Sequence, residues 1–287
     1  GDNQIVLAAA EDGDIERGIA IEGMGAIQGP SWSPDGTKLV FSGSRGGITD
    51  IYLHDLETGV TTQLTSDREA DFQPVFSPDG RYVAFSSDRS DVTDFEKLTY
   101  ARFQLAVLDL NTGQVEQLKI FGPEVKHINP QYSPDGRYLY FISDVDGFSD
   151  IYRISLDSGQ IHRITQVATG VSGIGWSAPA MTVAQETGEI AFSVFDEFEF
   201  HVYKLTQEEA SARAELVVDA KPGLGRYLPP LETTIPRRVA QYLQDHETGL
   251  EPPGTFTVEN AEDYDSSLEL VFVCERTLGV AADNFGG

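Results

Sequence analysis

Hydrophobic and polar positions fall into short bursts separated by the same turn. Residues 30–43 read "PSWSPDGTKLVFSG", residues 74–87 "PVFSPDGRYVAFSS" and residues 130–143 "PQYSPDGRYLYFIS". Each begins as a strand ending on an aromatic residue, turns at Ser-Pro-Asp-Gly and continues as a second strand, "KLVFS", "YVAFS" or "YLYFI". Proline presets φ inside such a turn, and glycine accepts the positive φ that follows. β-Branched and aromatic residues dominate the flanking runs, as a half-buried pleated surface prefers. A third strand follows, "DIYLHDL", "FQLAVLDL" or "DIYRISL", then a Thr-Gly or Ser-Gly turn and a fourth strand, "TTQLT", "VEQLK" or "IHRIT".

Two landmarks keep step. Trp32, Phe76, Tyr132 and Trp176 occupy the aromatic slot at separations of 44, 56 and 44 residues. Gly13, Gly59, Gly113 and Gly159 close turns at separations of 46, 54 and 46. A period of this length with four strands per unit predicts an all-β fold, a β-propeller of four-stranded antiparallel blades. Almost nothing before residue 236 carries helical spacing, which excludes helical solenoids. The aromatic series reads as packing between blades.

The pattern "SPDGxxxxF…DIY…L…TGxxxxLT" closely resembles the TolB-type, WD-like propeller repeat of bacterial envelope proteins, over residues 3–232. The unit from Trp176 to about Val218 departs from it, because "SAPAMTVAQETGEIAFS" lacks Ser-Pro-Asp-Gly. Residues 4–21 read as the third and fourth strands of a blade without its first half, and "RYLPPLE" as the opening of another. Truncation of a larger ring implies six blades; closure by "LELVFVC" at 268–274, which echoes "KLVFSG", gives five. The same C-terminal stretch also resembles the opening strand of an outer-membrane barrel. The chain therefore divides into a propeller, 1–232, and a C-terminal linker, short helix and extension, 233–287. Within the latter, "PRRVAQYLQD" from Pro236 to Asp245 has helical spacing behind a proline start, and "GLEPPGTF" reads as a linker. The opening Gly1 reads as a processed or excised start.

Charge narrows the partners. Forty-six acidic against twenty basic residues give a net −26, which repels nucleic acid and anionic membranes. No apolar run approaches the length of a membrane helix. The single Cys274 forms no internal disulfide and no thiolate zinc cluster. Neither Gly-x-Ser-x-Gly, His-Glu-x-x-His nor a phosphate-cradling glycine loop occurs, so no catalytic constellation is expected. The five histidines lie in unrelated contexts, and His54 and His162 read as strand packing.

Three features could carry binding. Asp144, Asp146 and Asp150 in "SDVDGFSD" are spaced as Ca²⁺ ligands, although the closing Glu of an EF-hand is absent and Asp-Gly turns need no metal. No other cofactor is expected. Arg45 and Arg89 share a slot after the second strand, suited to an acidic partner or to neighbouring Asp. The insertion "DRSDVTDFEKLTYARF", residues 88–103, separates the second and third strands of its unit and supplies Asp91, Asp94, Phe95, Glu96, Lys97 and Tyr100. Long loops on rigid scaffolds frequently carry recognition. In a propeller this connection belongs to the face around the channel mouth.

The resemblance implies a non-catalytic interaction propeller with envelope protein partners. It implies a periplasmic or cell-envelope location, with an extracellular one and an outer-membrane association as variants. The rivals are an accessory, substrate-filtering propeller of a larger enzyme or outer-membrane protein, and a lyase-type enzyme working inside the channel.

Overall fold

The computed structural model describes residues 3–175 and 178–217, and the backbone of 269–274 and 277–281. The chain forms two units, Gly1–Pro230 and Leu231–Gly287.

The first unit is a four-blade array of antiparallel sheets preceded by a two-stranded one. That opening sheet pairs β1 (Gln4–Ala8) with β2 (Ile15–Ala20). Blade one runs β3 (Ala26–Trp32), β4 (Lys38–Arg45), β5 (Ile48–Asp55) and β6 (Thr61–Gln63) in spatial order. Blade two runs β7 (Asp71–Phe76), β8 (Tyr82–Ser87), β9 (Gln104–Asp109) and β10 (Val115–Gln117). Blade three runs β11 (His127–Tyr132), β12 (Tyr138–Ser143), β13 (Asp150–Ser155) and β14 (Ile161–Arg163). Blade four has three strands, β15 (Met181–Val183), β16 (Ile190–Asp196) and β17 (Glu199–Leu205). Sequential antiparallel order of these strands within each blade is what hairpin connections dictate.

The repeated turn has a visible cause. In blade one Ser33 Oγ donates to Asp35 Oδ1 at 2.6 Å, and Lys38 N donates back to Ser33 Oγ at 2.9 Å. Thr37 N donates to the same Asp35 oxygen, and Gly36 carries φ +71°. Ser133, Asp135 and Gly136 repeat the arrangement. These donors, Ser33 first and then Thr37, hold the Asp35 carboxyl down at about 2. The turns also stack: the Gly80 face lies against Pro34 of the previous blade, and Gly136 against Pro78.

"DIY" and "LT" are two ends of one stitch. Ile51 N donates to Thr65 Oγ1 at 2.9 Å, and Thr65 Oγ1 in turn reaches Asp50 Oδ1 at 3.4 Å. Blade three repeats this with Ile151 N, Thr165 Oγ1 and Asp150 Oδ1, at 2.9 and 2.8 Å. The stitch holds the short fourth strand against the third. Blade two carries Gln104 at the Asp slot, and its Nε2 donates to Val125 O at 2.7 Å instead.

The core lies between blades. Phe76 clusters with Val40 and Ile51 of blade one, and Tyr132 with Val75, Ala84 and Leu105 of blade two. Phe76 and Tyr132 are 5% and 4% exposed. Burying each such side chain contributes about 2–3 kcal/mol.

Three expectations change here. The aromatic slot of blade four belongs to Val183. Trp32, Phe76 and Tyr132 pair with Leu39, Val83 and Leu139, and Val183 pairs with Ile190 in the same register. Ala184 N bonds Glu189 O as Ser33 N bonds Lys38 O. Val183 also packs with Tyr140, Ile142 and Ile151 of blade three. The third spacing of 44 was therefore fortuitous, and Trp176 lies outside the described residues.

Second, a helix interrupts blade four. Thr206 and Glu209 form a reciprocal capping box that starts α1 (Gln207–Arg213). A seven-residue helix is too short to read from apolar spacing, but "TQEE" carries the signal.

Third, the following β18 (Glu215–Leu216) pairs with β14, so it extends blade three and does not complete blade four. Among the described residues the first unit thus holds four blades and the two-stranded opening sheet. In the second unit β19 (Glu269–Cys274) pairs with β20 (Thr277–Ala281) as an antiparallel hairpin. The expected helix at 236–245, the linker after it and "RYLPPLE" lie outside the described residues.

Candidate functional site

The first strands of blades one, two and three carry a bulge at one position, before a proline. Gly29, Gln73 and Asn129 take φ +57°, +54° and +56°, and the pairing register shifts there in all three blades. A positive φ is costly for residues with a Cβ, so the surroundings must hold it. They do so through side chains that reach from blade to blade. Gln73 N donates to Ser42 Oγ at 3.1 Å, and Gln73 Oε1 accepts from Asn129 N at 2.8 Å. Asn129 Oδ1 accepts from Ala180 N and Met181 N, and its Nδ2 donates to Met181 O. Gln73 and Asn129 were not anticipated from the sequence. Their signal was an X-Pro step three residues before the aromatic slot, at Gly29, Gln73 and Asn129.

This belt lines a cavity of about 740 Å³ at the Ser-Pro-Asp-Gly end of the first strands. Its wall is prolines, among them Pro30, Pro74 and Pro179, with Ser31, Gln131 and Gln185 as polar groups. Trp32 stands at the wall 52% exposed, unlike its buried counterparts Phe76 and Tyr132. No titratable side chain lines this cavity among the described residues.

The insertion lies at the opposite end of the strands. The axial cavity touches β7 at Gln73–Phe76, whereas a second depression of about 480 Å³ touches it at Ala70 and Phe72. The 88–103 connection thus lies with the β6–β7 link, on the face expected for it, while the cavity lined by the first strands opens at the other end. It is a built structure. Asp94 and Thr99 exchange backbone bonds at 2.8 and 2.9 Å. Asp94 Oδ1 accepts from Glu96 N and Lys97 N, and Lys97 Nζ pairs with Asp94 Oδ2 at 2.7 Å. Those donors, Lys97 foremost, lower the Asp94 carboxyl. Thr93 Oγ1 donates to Asp88 O and accepts from Ala101 N. Phe95 and Tyr100 meet edge to face at 6.1 Å. Asp91 and Glu96 stand exposed.

Arg45 and Arg89 share a slot but not a role. Arg45 Nη2 donates to Glu22 O at 3.3 Å, and its guanidinium lies 5.9 Å from the Tyr52 ring centre. Arg89 pairs with Asp67 at 2.9 Å and with fully buried Asp71 at 3.2 Å. Burial raises the Asp71 carboxyl to about 6, against the pull of Arg89. Oxygens of Asp50, Asp67 and Asp71 lie within 4.8 Å of one another, a grouping the sequence did not suggest. Arg89 already occupies it.

Asp144, Asp146 and Asp150 face different partners. Asp144 accepts from Lys126 N and lies 3.5 Å from Arg102; Asp146 accepts from Tyr152 Oη and Arg163; Asp150 holds Thr165 and Val167 N. The structure uses these three carboxylates to fasten the blade-three connections, where the spacing suggested Ca²⁺ ligands. Burial raises the Asp150 carboxyl. His54 is buried with Nδ1 on Thr61, and His127 sits between Phe121 and Phe141.

Comparison with known proteins agrees with this architecture. Residues 1–97 match the family model described as the TolB beta propeller domain. The Tol-Pal system protein TolB of Bordetella pertussis is 34% identical over 141 residues, 49% of this chain and 30% of that protein. An uncharacterised peptidase of Bacillus subtilis is 40% identical over 55 residues, 19% of this chain and 8% of that protein. The chain thus spans less than a third of the length of these curated relatives. The crystal structure of TolB from Acinetobacter baumannii superposes with a TM-score of 0.58 at 22% identity, over 74% of this chain and 48% of that one. Shared turns, shared blade order and these matches lead to one conclusion: the chain has a β-propeller fold, and its residues 1–97 are TolB-like repeats.

Proposed function

We propose that this chain is a non-catalytic protein-interaction propeller of the bacterial cell envelope, located in the periplasm and working beside envelope proteins. The observation that carries this reading is the chemistry of the axial cavity. A wall of prolines, amides and hydroxyls with one half-exposed Trp offers apolar contact and hydrogen bonds to a neutral polypeptide segment. General acid–base work needs a titratable group at the reacting atoms, and the described lining supplies none. A lyase reaction centred there is correspondingly disfavoured. The match to a Tol-Pal system protein supports the envelope setting. Among the described residues no helix is long and apolar enough to cross a membrane.

The test is cross-linking to envelope extract with intact protein and a Trp32→Glu variant, followed by identification of the adducts. The variant is expected to lose its principal adduct. Equal recovery by both proteins overturns the axial site.

A second reading has one observation in its favour. The 55-residue match to a protein named as a peptidase is consistent with an accessory propeller that positions substrate for a catalytic module.

A further inference from the structure

At the insertion end of the strands, between blades one and two, the second depression combines an aromatic floor with a single cation. Phe72 and Phe103 pack edge to face at 5.5 Å, and Phe95 and Tyr100 form the facing pair. Arg68, in the link from β6 to β7, lays its guanidinium 4.3 Å from the centre of the Phe95 ring. Among the described residues Arg68 has no carboxylate partner, in a chain with 46 acidic residues. A guanidinium stacked on a ring keeps its in-plane N–H donors free for a planar anion. Tyr100 is 54% exposed, so the edge of the depression formed by Phe95 and Tyr100 is open to solvent.

We propose that this depression binds the C-terminus of a partner polypeptide, with an apolar last side chain on the aromatic floor and the terminal carboxylate on Arg68. The geometry favours a terminus over an internal acidic residue. A C-terminal residue carries its carboxylate and its side chain on one Cα, which suits a cation placed directly beside the ring. An internal Asp or Glu would have to supply the apolar group from a neighbour, across a cavity of about 480 Å³. Asp88, whose Oδ1 accepts from Ala70 N at 2.7 Å, also lines the depression. Loss of conformational freedom on binding is small, because the Asp94–Thr99 bridge already holds Phe95 and Tyr100 in place. This rests on the protein-binding reading above but uses the opposite end of the strands.

The experiment titrates the full chain into a labelled hexapeptide, Gly-Ser-Gly-Ser-Leu-Phe, with either a free or an amidated C-terminus, and follows fluorescence anisotropy. The free acid is expected to saturate, and amidation, Arg68→Gln and Phe95→Ala are each expected to weaken it at least tenfold. Trp32→Glu is expected to leave this binding unchanged. Circular dichroism of each variant separates lost binding from lost folding; because Arg68 is exposed, Arg68→Gln keeps the test open if Phe95→Ala unfolds. Equal binding of acid and amide, or none at millimolar protein, overturns the proposal. Either result leaves the axial site to stand or fall on its own cross-linking experiment.

Discussion

Asn129 clamps Met181 across the boundary between blades three and four. Its Oδ1 accepts Met181 N at 2.9 Å and its Nδ2 donates to Met181 O at 3.0 Å, while Ala180 N adds a third bond at 2.7 Å. All three sit on buried groups, so removing the amide leaves donors and an acceptor without partners. Such orphaning costs about 1–3 kcal/mol per group.

Asn129→Ala is therefore expected to destabilise the propeller by about 3 kcal/mol or more in urea unfolding. Asn129→Gly loses the same bonds but takes φ +56° freely, and should recover about 1 kcal/mol of that loss. A glycine variant as stable as the parent would mean that the clamp contributes nothing.

Asp71 makes stability depend on pH. Its carboxyl is raised to about 6 in the fold, above its ordinary 3.8, so the native state binds a proton that the unfolded chain releases. This contribution therefore grows as pH falls from about 7 to about 4, by at most ~1.4 kcal/mol per pH unit. Asp71→Asn should flatten the stability curve between pH 7 and pH 5. An unchanged slope would show that another group titrates there.

His127 acts with the opposite sign. Burial lowers it to about 3, below the ordinary 6.5, against a weaker opposing pull from the Lys126 backbone. The unfolded chain gains a proton below pH 6.5 that the fold refuses, so stability is lost as pH falls from about 6.5 towards 3. His127→Phe is expected to gain about 1–2 kcal/mol more at pH 5 than at pH 8. Comparing the two pH values cancels whatever the larger ring costs in packing.

Gly43 stands where blades two and three carry Ser87 and Ser143, opposite Asp50, Gln104 and Asp150 respectively. A Cβ there would lie 2.5 Å from Met24 Sδ and 2.8 Å from the Tyr52 ring. Gly43→Ala should cost about 1–3 kcal/mol through overpacking. The Met24→Ala background should reduce that cost, which a double-mutant cycle of thermal unfolding would measure.

Local chemistry was readable wherever one unit satisfied itself. Ser33, Asp35 and Gly36 form their turn within the six residues Ser33 to Lys38, and Asp50 meets Thr65 within one blade. Repetition then multiplied a short signal. Blade four broke the reading because Trp176 fell at the expected spacing while Val183 held the slot, and only strand pairing distinguishes them. The binding residues were less legible. Phe95 and Tyr100 announced a recognition loop, but Arg68 lies in a different connection and reaches Phe95 only through folding. Asp144, Asp146 and Asp150 looked like one constellation, yet their oxygens are spent on Arg102, Arg163 and Thr165.

The amino-acid order alone determined the hairpins, their four-strand period and the acidic surface, because turn residues and alternation act over a few bonds. Which blade β18 joins, where the two depressions open, and which arginines are left without a carboxylate were decided by tertiary packing. Those outcomes depend on groups dozens of residues apart competing for the same hydrogen bonds and the same apolar contacts, and no single segment records who wins.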